Sequence, residues 1–251
     1  MRKKKVAAIA IKGFALLAVL STAHLGMGGK AMAQDATMSY PKMAPIEQYL
    51  MDSDAEIALA RSAAPDAISH EASVLVLTRH GYETAVEGKS GWVCWVGRGW
   101  MAMFDNPEFW SPKVRAADCL NPPAARSVLP YAYKRTELLL AGHSKQEVIA
   151  AIKAAIDKKE LPALEQGTVS YMMSKSSYLT DNGGHNGPHL MFYQADSGTV
   201  WGANLTNSPV VAVNYWYISA EAYPQLKSFP AMTVFLIAVD KWSDGTTAPA
   251  M

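Results

Sequence analysis

Ser73-Val74-Leu75-Val76-Leu77-Thr78 and Gly91-Trp92-Val93-Cys94-Trp95-Val96 are the two stretches that decide the fold. Each is a short apolar run rich in β-branched or aromatic residues and bounded by turn formers, which is strand chemistry. The connector holds Gly88 and Gly91, so the two read as partners in a hairpin or a meander. Trp92 and Trp95 then point to opposite faces of the second strand. Trp100 to Phe104 is expected to prolong that strand past a bulge at Gly97 and Gly99.

Helical patterns flank this pair. Ile46 to Ala64 reads as helix, with Asp52, Ser53 and Asp54 as a break or a fresh N-cap, and Pro65 as its end. Residues 105–130 carry Pro107, Pro112, Pro122, Pro123 and Pro130 and are expected to be irregular. Tyr131 to Ala141 is a second helix, with Gly142 as its left-handed cap. Ser144 opens a third, with Glu147 placed for a capping box and Val148, Ile149, Ile152 and Ile156 as its apolar stripe. Strands are then expected at Val169–Ser174, His189–Gln194, Val210–Ile218 and Thr233–Val239. Strands and helices come in blocks, which predicts an α+β fold: a mainly antiparallel sheet with a helical hairpin packed against it.

The first thirty-three residues have a different character. Arg2, Lys3, Lys4 and Lys5 precede an apolar run strongest from Phe14 to Leu20, and Ala31-Met32-Ala33 offers small residues at alternate positions. That is the pattern of a cleaved export signal over 1–33, leaving a single α+β domain over 34–251 in a secreted or periplasmic setting. The run is too short for the roughly 20 residues of a spanning helix. Six of the 23 basic residues and none of the 22 acidic ones lie in that leader, so the remainder carries 17 against 22, a charge of −5. A mildly acidic surface argues against nucleic acid as a partner, and no later run is long enough for stable membrane insertion. Cys94 and Cys119 are the only cysteines, and in an oxidising compartment they are expected to form a disulfide.

Two places could carry chemistry. In Thr180-Asp181-Asn182-Gly183-Gly184-His185-Asn186-Gly187-Pro188-His189, glycines and a proline hold two imidazoles and a carboxylate in a short loop before a strand. His189, Met191 and Tyr193 share one face of that strand. His185, His189, Asp181 and Tyr193 are therefore the candidate ligand-binding set, with His185 and His189 as candidate ligands of a divalent metal such as zinc. Seven tryptophans, at 92, 95, 100, 110, 201, 216 and 242, supply core packing or flat walls for an apolar-faced ligand. No nucleophile elbow, phosphate-cradling glycine loop or dinucleotide fingerprint is present.

The second place is Leu77-Thr78-Arg79-His80-Gly81, which resembles the histidine phosphatase superfamily. The resemblance implies a phosphate-ester hydrolase with His80 as nucleophile, Arg79 as phosphate clamp and His185 as the second histidine. That superfamily has a helix soon after this strand, whereas Val86 to Val96 reads as turn and then strand. At the level of the whole chain, Asn106-Pro107-Glu108-Phe109-Trp110, Asn121-Pro122-Pro123-Ala124-Ala125-Arg126, Tyr171-Met172-Met173-Ser174-Lys175 and Pro188-His189-Leu190-Met191-Phe192 are similar to an uncharacterised family of exported bacterial proteins. That resemblance implies no established activity and no established cofactor. The sequence thus leads to a small-ligand or metal binder acting through the 181–189 loop. Its alternatives are the phosphate-ester hydrolase and a structural or interaction domain without a small-molecule site. Oligomeric state is not legible.

Overall fold

The computed structural model describes residues 40–181, 183–184, 186–196, 198–208, 210–214 and 228–249, all within one compact unit, Thr37–Met251. Residues 1–33, read as the export signal, lie outside the described residues. After one helical turn at Ile46–Gln48 come helices α1 (Ser53–Arg61) and α2 (Asp66–Ser69), then strands β1 (Ser73–Thr78), β2 (Gly81–Val86) and β3 (Val93–Gly97). Strand β4 (Ala116–Leu120) leads into helices α3 (Pro122–Ser127), α4 (Leu129–Leu140) and α5 (Lys145–Asp157). Strands β5 (Val169–Met172), β6 (His189–Gln194), β7 (Val211–Asn214) and β8 (Thr233–Ala238) complete the described elements. The strands form one sheet in the order β2-β1-β3-β4-β5-β6-β8-β7. Among these strands only β1 and β3 run parallel; every other neighbouring pair is antiparallel. The fold is α+β with a mainly antiparallel sheet.

Local chemistry accounts for the helix ends. The Asp52 carboxylate accepts the Ala55 N–H and caps α1. Ser144 and Glu147 form the reciprocal capping box of α5, and Gly142 before it sits at φ 87°. Val148, Ile149 and Ile152 are buried along one stripe of α5.

Several sequence expectations are corrected. The hairpin is not formed by the two decisive runs: β2 intervenes, pairs with β1, and β3 returns parallel to β1. Gly99–Met101 turns helically and does not extend β3. Residues 105–130 are not irregular throughout, since they hold β4, α3 and the start of α4. Pro122, Pro123 and Pro130 sit in first helical turns, where a missing N–H leaves no bond unmade. β4 has no local signal, because Ala, Ala and Asp are poor strand formers, yet β3 and β5 pair with it on both sides. Of Val210–Ile218, only the part through Asn214 lies within the described residues.

Both faces of the sheet carry a buried cluster. On one, Val74, Cys94, Val96, Ala117 and Cys119 pack against Ala60, Ala63 and Ala64 from α1 and its end. On the other, Leu75, Leu77, Trp95, Leu120, Met191, Tyr193 and Val234 meet the apolar residues of α4, α5 and the 100–110 segment. Trp92 and Trp95 do face opposite ways, against Tyr171 and Tyr82 respectively. Cys94 and Cys119 stand directly opposite in the β3–β4 ladder and are joined by a disulfide. It staples strand to strand at the centre of the sheet.

A buried ion pair fixes α1 to the sheet. Arg98, just past β3, gives Nη2–H to Glu56 Oε1 at 2.7 Å and Nε–H to the Tyr49 carbonyl at 2.9 Å. Its Nη1 reaches the Val96 carbonyl, while Leu77 N–H donates to the same Glu56 oxygen. Both side chains are essentially without solvent exposure.

Two stability outcomes follow. Glu56→Ala strands a buried guanidinium and is expected to lower the unfolding free energy by about 3–5 kcal/mol in urea titrations. Replacing both Cys94 and Cys119 with alanine opens a link spanning 25 residues. The same titration should register a loss of about 3–4 kcal/mol on the chain-entropy account.

Candidate functional site

The sheet face under α4 and α5 is not filled. Gly97 and Ala116 oppose each other in the β3–β4 ladder, and Gly99, Ala102 and Ala132 face the same space. These small side chains leave a cavity of about 380 Å³. Gly99 must be glycine for the wall to close, because a Cβ there would lie 2.5 Å from the Glu108 carbonyl oxygen.

Strand register lays out the floor in rows. Trp95 faces Asp118 across β3–β4, and His189 faces Met172 across β5–β6. The β4–β5 ladder pairs Cys119 with Tyr171 and Leu120 with Ser170; one step on, Asp118 falls beside Met172. Trp95, Asp118, Met172 and His189 thus form one row on one face, and all four line the cavity. The next row holds Leu120, Ser170, Met191 and Leu236. Val128, Leu129, Ala132 and Arg135 come from the start and body of α4, and Ile152 from α5. Met103 and Asn186 also line the cavity and are exposed, so it reaches solvent beside them.

Asp118 is the least expected group. It is only 8 % exposed, and its Oδ1 is sealed without a hydrogen-bond partner, as is the Nε1 of the facing Trp95. Burial pushes the carboxyl up to about 7. Ser170, Trp95 and the Cys119 N–H favour the charged form, but none offsets desolvation.

His189 is also 8 % exposed, and burial lowers its pKa against a smaller opposing pull from the Gly187 carbonyl. Its Nδ1 lies 2.8 Å from that carbonyl oxygen. A carbonyl only accepts, so Nδ1 carries the hydrogen and Nε2 keeps its lone pair. Tyr193 is buried two strand positions on from Met191, its hydroxyl 3.4 Å from Ser170 Oγ.

The other charged groups of the lining are engaged. Arg98 holds Glu56, and Glu108 accepts the Asp181 N–H at 2.7 Å. Arg135 gives Nη2–H to the Ala102 carbonyl and lies over the Phe104 ring at 3.9 Å.

The structure brings together two of the four residues expected from the 181–189 loop and strand, His189 and Tyr193. Asp181 does not line the cavity. Its carboxylate accepts the Tyr40 hydroxyl at 2.6 Å and the Ser111 hydroxyl at 3.3 Å, with Lys113 at 3.5 Å, and so ties the arm before α1 to this loop. His185 lies outside the described residues. Among the described residues no three of His, Cys, Asp and Glu cluster as a metal site. Arg79 and His80 form the exposed turn of the β1–β2 hairpin, Arg79 pairs with Glu47 at 2.7 Å, and neither lines the cavity.

Asp118, Trp95 and the roof residues are not conspicuous as site residues in the sequence. One signal is available: if Cys94 opposes Cys119 in antiparallel strands, Trp95 must oppose Asp118. A lone carboxylate inside an apolar strand is the kind of group that marks a site.

The Asp118 shift has a definite consequence for stability. The native carboxyl titrates at about 7 against an ordinary 3.8, so its contribution is whole below about 3.8 and is lost as pH rises through about 7. Asp118→Asn is therefore expected to be more stable than the parent at pH 8, by up to about 4 kcal/mol, with the gap closing by pH 4. Urea midpoints at pH 4, 6 and 8 check both sign and window.

No protein-family model matches this chain, no curated protein matches it, and no solved structure matches it.

Proposed function

We propose that this protein binds a small, largely apolar molecule in the cavity between the sheet and helices α4 and α5. The observation that carries the reading is the cavity itself: about 380 Å³, walled by Met, Leu, Val and aromatic side chains, with Asp118 and His189 as polar anchors in one row of its floor. Binding sites for small molecules are typically apolar hollows of this size with a few converging polar groups. Thioether walls at Met101, Met103, Met172 and Met191 adapt to irregular ligands. The binding site is then the space that the 181–189 loop borders, and not the loop itself.

The binding is placed outside the cytoplasm. The Cys94–Cys119 disulfide supports that placement, as does the leader pattern of residues 1–33. No helix among the described residues is long and apolar enough to cross a membrane.

A second reading takes His189 Nε2 as a ligand to a divalent ion such as zinc, with His185 as the other imidazole. The Nδ1 bond to Gly187 favours it, since metal-ligating histidines are oriented by a bond at the opposite nitrogen. Zinc stoichiometry by elemental analysis, in the parent and in His189→Ala, decides it; no zinc retained by the parent after reconstitution removes it.

The primary reading is checked with the neutral fluorophore N-phenyl-1-naphthylamine. The expected outcome is saturable 1:1 emission enhancement, reduced at least tenfold in affinity by Ala132→Phe, which drives a ring into the void. Enhancement that does not saturate, or that is unchanged by Ala132→Phe in a folded variant, overturns the cavity as the binding site.

A further inference from the structure

We propose that Asp118 and His189 act together as an acid and a base that move a proton within a carbonyl compound held in the cavity, so that the protein is an enolising enzyme or isomerase; this rests on the cavity being the binding site. Position comes first. The two residues are two strands apart in one row, with Met172 between them, so their backbones are separated by ~10 Å and their side chains rise from the same face. A ketone lying over the Met172 side chain would have a contact at each end. The carbonyl oxygen meets Asp118, and the adjacent C–H meets His189. Apolar neighbours Leu120, Met191 and Leu236 lie along the next row, where a hydrocarbon skeleton would rest.

Chemistry fits the positions. His189 presents an unprotonated Nε2, because its Nδ1 hydrogen is held by Gly187. Asp118 is more than nine-tenths buried and lines the cavity floor. Desolvation pushes the Asp118 carboxyl up to about 7, so it can hold the proton it donates. The charged groups that also line the cavity, Arg98, Glu108 and Arg135, bond to Glu56, the Asp181 N–H and the Ala102 carbonyl, and the Tyr193 hydroxyl lies beside Ser170 Oγ.

The step balances without a co-reactant. His189 Nε2 takes the proton from the carbon next to the carbonyl. The C–H electron pair becomes the new C=C bond, the carbonyl π pair moves to oxygen, and oxygen takes the Asp118 proton. Once the imidazolium has traded its proton with solvent, protonation of the same carbon gives isotope exchange; delivery of the proton to the far end of a conjugated system gives a shifted double bond. In either case Asp118 recovers its proton from the enol.

The test uses 2-decalone, an apolar ketone of fitting size, with the purified full chain in deuterated buffer. Proton NMR follows deuterium uptake next to the carbonyl, and displacement of N-phenyl-1-naphthylamine reports binding. The expected result is exchange at least tenfold faster than in buffer, falling to the buffer rate in His189→Gln and in Asp118→Asn. Both variants should remain folded by circular dichroism, and each is assayed at 2-decalone concentrations that saturate its own displacement of the fluorophore. A second readout is the pH profile: the parent rate should fall on the basic side as the carboxyl ionises. Exchange no faster than buffer overturns the proposal. If 2-decalone nevertheless displaces the fluorophore, the binding reading stands alone; if it does not, that reading loses its ketone as well.

Discussion

A guanidinium and a carboxylate without water hold this fold together. Arg98 reaches Glu56, the Tyr49 carbonyl and the Val96 carbonyl, while Leu77 N–H closes on Glu56. One ion pair thereby joins the turn after Ile46–Gln48, helix α1, the end of β1 and the end of β3. Such a pair gains little over well-packed apolar residues, but losing one partner leaves a bare charge in a dry interior. It specifies how α1 crosses the sheet, and Arg98 is then fully engaged. The residue lines the cavity on its way past, yet its charge is turned towards the core and away from any ligand.

The disulfide has a comparable consequence one row away. Because Cys94 and Cys119 are directly opposed, the β3–β4 register cannot slip, and Trp95 must face Asp118. A slip of one residue would turn every side chain of β4 to the other face and carry Asp118 out of the cavity. The covalent link lies on the α1 side of the sheet, among Ala60, Val74 and Ala117, while the polar row lies on the opposite side. Stability and site are thus built on the two faces of the same strands, and the sheet carries positional precision from one to the other.

The cavity survives because the residues around it are small or already committed. Gly97, Ala116 and Ala132 contribute almost no volume, and Arg135 and Lys145 are held over the rings of Phe104 and Phe109. A buried carboxyl with one oxygen left unbonded costs stability. Here the cost is moderated by the carboxyl's shift towards the neutral form. Groups shifted in this way cluster at functional sites.

Much of the scaffold is legible along the chain. The strand character of Ser73–Thr78, Val93–Gly97, His189–Gln194 and Thr233–Ala238 is local, as are the Asp52 and Ser144 caps and the pairing of the only two cysteines. His189 and Tyr193 are legible too, since strand alternation alone puts them on one face. β4 is not, because Ala116-Ala117-Asp118 has no strand preference and becomes a strand only by pairing on both sides. Asp118 therefore has no visible neighbours along the chain, and Asp181, prominent in its glycine-rich loop, is occupied by Tyr40 and Ser111. Periodicity, capping and composition act within a few residues, so many of the elements and the disulfide can be read from the chain alone. Which polar groups meet cannot be read that way. Strand order and register bring Asp118 and His189, distant along the chain, into one row of a space that neither could enclose alone.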